Sequence, residues 1–145
     1  MSLKKYSLPH FINKIELCDE EYSKWLHRKA NAHFKRDKKR EYENISLALY
    51  KKLIHQAVCE SSGLDYYTGD KLNWALCSKY NNEESKSKRH IYKKSFTLLP
   101  TVDHIDVSSM VPKFVICGWQ TNDCKSDLSI SELVDFCRKI IKKHG

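Results

Sequence analysis

The first half of the chain has the three-to-four-residue hydrophobic spacing of α-helices. Over residues 19–40, apolar side chains recur at this spacing and leave a cationic face opposite them. Acidic residues stand near the start of this segment and basic residues near its end, an order that the helix macrodipole favours. A second helix is predicted from Glu41 or Asn44 to Glu60, where a Ser-Ser-Gly sequence ends it.

The second half changes to short extended segments. Residues 101–105 and 113–117 are rich in apolar and β-branched side chains, and they predict a β-hairpin with a long loop. A short helical piece over 118–127 follows. Ser129 and Glu132 then form the capping-box pattern that opens a last helix.

The last helix carries a single apolar stripe, which we expect to pack the helix on the core. Its members are Ile130, Leu133, Val134, Cys137, Ile140 and Ile141. The polar segment 81–89 is predicted to be a surface loop. Together these patterns predict an α+β fold in one compact domain, with a helical basic region over 1–62 and a mixed region over 63–145.

The charge of the chain is concentrated in the first predicted helix. The 145 residues carry a formal net charge of +8, which favours contact with polyanions. An ordinary solvated helix face is the alternative, but the cluster is denser than solubility requires. We therefore predict that the basic cluster contacts nucleic-acid phosphates, which would give affinity without sequence specificity. The candidate contacts are Arg28, Lys29, Lys35, Arg36, Lys39 and Arg40.

The cysteines and the N-terminus suggest a cytoplasmic protein. Six cysteines are scattered without a C-x-x-C pair, so a structural zinc site is not expected. No apolar run is long enough to span a membrane, and residues 1–11 lack the apolar region of a secretory signal. We therefore expect no membrane association.

Three polar residues of the second half carry the candidate chemistry. Asp103 and His104 lie on the first predicted strand, and Asn122 lies in the helical piece after the second. This strand, loop, strand and helix order resembles the HNH, or ββα-metal, nuclease motif. The likeness covers PTVDHI at 100–105, FVICGWQTNDCKSD at 114–127 and the turn YTGD at 67–70. With the last helix it extends from Gly63 to the C-terminus.

The resemblance implies metal-dependent hydrolysis of DNA phosphodiesters. Asp103 and Asn122 would then be the metal ligands, a hard-oxygen pair suited to Mg²⁺ or Mn²⁺. His104 would be the general base that takes a proton from water. Lys125, three residues after Asn122, would contact the phosphate as a further catalytic residue.

The sequence departs from the family pattern at two positions and leaves alternatives open. Asn122 stands at the third motif position, which is His in some members, a substitution that the family commonly carries. Lys113 stands where the family usually has an asparagine that orients the base, so another group must orient His104. The second hypothesis is a non-catalytic DNA- or RNA-binding module that retains the HNH scaffold. A third is a scaffold protein that binds an acidic partner. A double-strand cut by one small site would favour a homodimer.

Overall fold

The computed structural model describes residues 5–79, 83–84, 86–87, 93–106 and 109–145. It confirms a mixed α and β architecture in this part of the chain. The elements, in chain order, are α1 (Asp19–Lys39), α2 (Leu47–Ser61), a 3₁₀ helix (Trp74–Ser78), β1 (Pro100–His104), β2 (Phe114–Gly118), α3 (Trp119–Lys125) and α4 (Ile130–His144). Of the segment 81–89, predicted to be a surface loop, the structure describes residues 83–84 and 86–87, which are exposed as predicted but helical; the rest lies outside the described residues.

Local capping sets the limits of the helices. At the start of α1, the Glu21 side chain accepts a hydrogen bond from the Cys18 backbone N–H at 3.0 Å. Helix α2 begins later than predicted, because Glu41 and Asn44 adopt positive φ angles of 64° and 56° and turn the chain. Ser46 then caps α2 by accepting the Leu49 backbone N–H at 3.1 Å.

The predicted hairpin is confirmed as an antiparallel pair. The register places Asp103 opposite Val115 and His104 opposite Phe114. Helix α2 packs on β2, and α1 contacts both α2 and β1. One apolar cluster joins the helices to the sheet, so the sheet is held against α1 and α2. It includes Leu17, Tyr22, Trp25, Leu26, Tyr50, Ile54, Val58, Trp74, Val102, Phe114 and Ile116.

The last helix differs from the prediction in its packing. The capping box is confirmed, since Ser129 accepts the Glu132 N–H and Glu132 accepts the Ser129 N–H. However, α4 has no buried residue, and Ile141 is 65% exposed. The expectation that its stripe packs on the core is therefore wrong. Of the residues that the structure describes, the apolar cluster that joins the other helices to the sheet includes none from α4.

Among the described residues, every helix is too short or too polar to cross a membrane.

Candidate functional site

Strand β1 presents its two candidate residues to different helices. Side chains alternate along a strand, so neighbouring residues point to opposite sides. Asp103 contacts Lys125 of α3 and Tyr67, whereas His104 contacts Asp37 of α1. The structure therefore brings Asp103 and Lys125 together and directs His104 towards the helical region.

The Asp103 carboxylate is buried beside a cation. Its Oδ2 atom lies 3.2 Å from Lys125 Nζ, and each of these side chains is no more than 10% exposed. The Tyr67 hydroxyl donates a hydrogen bond to the same oxygen. Burial raises the pKa of Tyr67, and the hydrogen bond to Asp103 raises it further, so the phenol keeps its proton as donor. Lys125 also lies 5.7 Å from the centroid of the Tyr67 ring.

Asp65 positions Tyr67 for this contact. Its buried carboxylate accepts backbone N–H groups of Tyr67 and Thr68, which forms a tight turn. Its other oxygen accepts the Gly118 N–H at 2.7 Å and the Thr121 hydroxyl at 2.8 Å. A Cβ at Gly118 would lie 2.8 Å from a backbone oxygen, so a glycine is required there. Asp65 thus ties the turn to the junction between β2 and α3.

Asn122 lies in the middle of α3, one turn before Lys125. Residues three apart share a face of a helix, so its half-buried side chain lies on the side of α3 that carries Lys125. Helix α3 packs on both strands of the hairpin. Within the described ranges, no group of three or more His, Cys, Asp or Glu side chains could hold a metal ion. In the described part of the chain, the side-chain contacts of Asp103 are with Tyr67 and Lys125, and none joins it to Asn122.

His104 contacts a carboxylate that the sequence analysis did not identify. Its Nε2 atom lies 2.9 Å from Oδ2 of Asp37, and the two side chains are 3% and 0% exposed. The Tyr50 hydroxyl donates to the same oxygen at 2.5 Å. Arg40 reaches the other oxygen at 3.6 Å. Asp37 therefore joins α1 to α2 through Tyr50, and its carboxylate lies beside the His104 ring of β1 without an aligned hydrogen bond to either ring nitrogen.

Aromatic rings enclose the His104 imidazole. The His33 ring lies beside it with the centroids 6.3 Å apart, and Phe114 and Tyr42 approach it edge-on. Burial, followed by the charge of the neighbouring Arg36, lowers the pKa of His33 to about 3. His33 is therefore neutral in the folded protein at neutral pH.

The low pKa of His33 predicts a loss of stability in acid. The unfolded chain, with a histidine pKa of 6.5, binds more protons than the folded chain between that value and about 3. The contribution of neutral His33 to the free energy of unfolding is therefore complete above pH 6.5, the pKa in the unfolded chain, and is lost as the pH falls towards about 3. Within that window, the difference in unfolding free energy between wild type and His33→Phe should change by about 1.4 kcal/mol per pH unit. Urea unfolding of both proteins at several pH values between about 3 and 6.5 measures this difference. If the free energies of unfolding of wild type and His33→Phe changed equally with pH, a buried neutral imidazole at His33 would be contradicted.

The basic residues of α1 do not form one uniform surface. Arg28, Lys35, Arg36, Lys39 and Arg40 are exposed. Lys29 is half-buried and donates a hydrogen bond to the Thr101 hydroxyl of β1 at 3.1 Å. Burial lowers the pKa of Lys29. Lys29 therefore belongs to the contact between α1 and β1.

One sequence signal could have identified Asp37. It is the only acidic residue within the basic run 35–40, and it follows His33 by four residues, which places both on the same face of α1. For Asp65, the signal is an aspartate at the start of the turn that contains Tyr67.

Comparisons with protein-family models, curated proteins and solved structures found no match.

Proposed function

We propose that the chain is a metal-dependent nuclease of the HNH type that hydrolyses DNA phosphodiesters. The main supporting observation is the buried Asp103 carboxylate, held next to the helix that follows the hairpin and paired there with a cation. Asn122 lies one turn earlier on the side of that helix that carries Lys125. RNA is an open alternative substrate.

The two oxygen donors fit a hard divalent cation. A carboxylate and an amide oxygen are ligands that Mg²⁺ and Mn²⁺ accept, with water and phosphate oxygens completing the set. The ammonium of Lys125 at 3.2 Å indicates that the surroundings of Asp103 tolerate positive charge. When bound, the ion would offset the charge of the scissile phosphate. Lys125, released from Asp103, would then contact the phosphate.

His104 would act as the general base in this proposal, with Asp37 as its positioning residue. A carboxylate next to one imidazole nitrogen fixes the orientation and the tautomer of the ring. Nε2 lies 2.9 Å from Asp37, and a hydrogen bond between them would leave Nδ1 as the nitrogen that takes the proton. The His104 side chain is 3% exposed and points to the opposite side of β1 from Asp103. This role therefore requires the neighbouring rings to separate and admit water, and β1 to bend so that both residues face one ion.

The enclosure of His104 favours a second candidate function. A non-catalytic nucleic-acid-binding module would keep the hairpin and the basic helix, and would use His104 only to join β1 to α1. Incubation of plasmid DNA with Mg²⁺, Mn²⁺ or EDTA distinguishes the two. The nuclease proposal predicts nicking that EDTA abolishes, whereas the binding module retards the plasmid without cutting it.

The exposed part of the α1 surface is proposed to bind phosphates. The double variant Lys35→Gln, Lys39→Gln should weaken binding to a labelled DNA duplex. It removes two cations from the protein surface that would face the DNA phosphates. The slope of log affinity against log salt should become shallower by about 1 for each phosphate that is no longer neutralised. Fluorescence anisotropy at several salt concentrations measures both effects.

Lys29→Gln is the matched control for this experiment, because the Lys29 ammonium is engaged by Thr101. Its affinity and its salt slope should remain those of the wild type. Equal effects of the control and the double variant would show that the exposed face of α1 has no special part in binding.

A further inference from the structure

We propose that α4 is a self-association surface, through which two copies of the chain pair in antiparallel orientation. The proposal is independent of the nuclease activity. It rests on the exposed apolar stripe of α4, on the distribution of charge along that helix, and on the position of Cys137 at its centre.

The apolar stripe of α4 has the spacing of a helix that packs on another helix. Ile130, Leu133, Cys137 and Ile140 occupy successive a and d positions of a heptad pattern. Val134 and Ile141 widen the stripe on one side. Five large apolar side chains of this helix are at least 40% exposed, namely Ile130, Val134, Phe136, Ile140 and Ile141. A continuous apolar face of this kind typically marks an interaction surface.

The charge of α4 favours a second copy as the partner. The first half of the helix carries Glu132 and Asp135, and the second half carries a basic cluster of Arg138, Lys139, Lys142 and Lys143. Antiparallel pairing places the acidic half of each helix beside the basic half of the other, whereas parallel pairing would bring both basic clusters together. The opposed helix dipoles also favour this orientation. A polyanion such as a lipid surface would complement only one of the halves.

Full overlap of the two helices fixes the register. Helix α4 runs from Ile130 to His144, so the two-fold axis of an isologous pair passes at Cys137. Leu133 then lies level with Ile141 of the second copy, and Val134 lies level with its Ile140, so apolar residues meet along the seam. With helix axes about 8–10 Å apart and Cα atoms about 2.3 Å from each axis, two Cys137 Cα atoms that face each other lie about 3.4–5.4 Å apart, and the upper part of this range falls among the Cα separations of disulfides.

Sedimentation velocity of the full chain at several concentrations tests the association. A helix of 15 residues is about 22 Å long, which is short for an interface of about 800 Å² per partner. We therefore expect a dimer that dissociates on dilution. Ile140→Gln should shift the equilibrium to monomer. Lys139→Arg, two residues after Cys137 and so on the opposite side of the helix, keeps the charge of the basic cluster and should remain dimeric. Neither substitution disturbs the core, because α4 has no buried residue.

Disulfide trapping tests the antiparallel register. With oxidised glutathione, two Cys137 thiols lose two protons and two electrons and form a disulfide, while the oxidant is reduced to two thiols. The wild type and Cys124→Ser, which removes another exposed cysteine, should give a covalent dimer on non-reducing gels. Cys137→Ser should give none. A chain that stays monomeric at every concentration, or cross-linking that persists without Cys137, would overturn the proposal. Binding of monomeric chain to anionic vesicles through α4 would do the same.

Discussion

Replacement of Asp37 by alanine should lower the free energy of unfolding by about 3–5 kcal/mol, because it leaves buried polar groups without a partner. The carboxylate is fully buried and meets His104 at 2.9 Å and the Tyr50 hydroxyl at 2.5 Å. Without it, neither group can reach water, and α1 is no longer joined to β1 through His104. Urea unfolding followed by circular dichroism measures the change.

Two further variants separate this role from the ordinary effect of removing a charge. Arg40→Ala removes a partner of Asp37 that is 41% exposed and 3.6 Å away, so it should cost less than about 1 kcal/mol. Asp37→Asn keeps an acceptor oxygen for Tyr50 and should retain part of the stability. If Asp37→Ala cost no more than Arg40→Ala, the buried carboxylate would not be what joins α1 to β1.

The second prediction concerns Asp103, the proposed metal ligand of β1. Asp103→Asn should reduce metal-dependent nicking of plasmid DNA by on the order of a hundredfold or more, since several kcal/mol of transition-state stabilisation would disappear with the ion. The amide still offers an oxygen to Tyr67 and Lys125, so the fold should persist, with a lower free energy of unfolding because the buried Lys125 ammonium loses its carboxylate. DNA binding should be retained, because the exposed cations of α1 are unchanged.

Tyr67→Phe is the matched control, since it removes the hydroxyl that bonds to Asp103 but leaves the carboxylate in place. Its nicking rate should fall less than that of Asp103→Asn. Undiminished metal-dependent nicking by Asp103→Asn would exclude this carboxylate as the metal ligand and place any catalytic centre elsewhere.

Local signals predicted the elements better than their packing. The bounds of α1, the hairpin and the capping box of α4 follow from patterns within a few residues. The start of α2 was missed because positive φ angles at Glu41 and Asn44 are not marked by glycine. The apolar stripe of α4 predicted an apolar contact but not whether the core or another molecule supplies it.

The candidate site was predicted only as far as its residues lie close in sequence. Asp103, Asn122 and Lys125 belong to one strand, loop, strand and helix unit, and Lys125 does meet Asp103. The partner of His104 comes from α1, far away in the chain, so periodicity could not reveal it. Lys29 was predicted to contact phosphate, but charge alone could not show that its ammonium bonds to Thr101.

The most direct test of the central claim is a Mn²⁺ titration of isotope-labelled protein followed by NMR. If Asp103 and Asn122 hold a divalent cation, Mn²⁺ should broaden the amide resonances of β1 and α3 first, and excess Mg²⁺ should reverse the broadening. In Asp103→Asn the local effect should disappear. Broadening that is absent from β1 and α3, or unchanged in the variant, would contradict the proposed metal site.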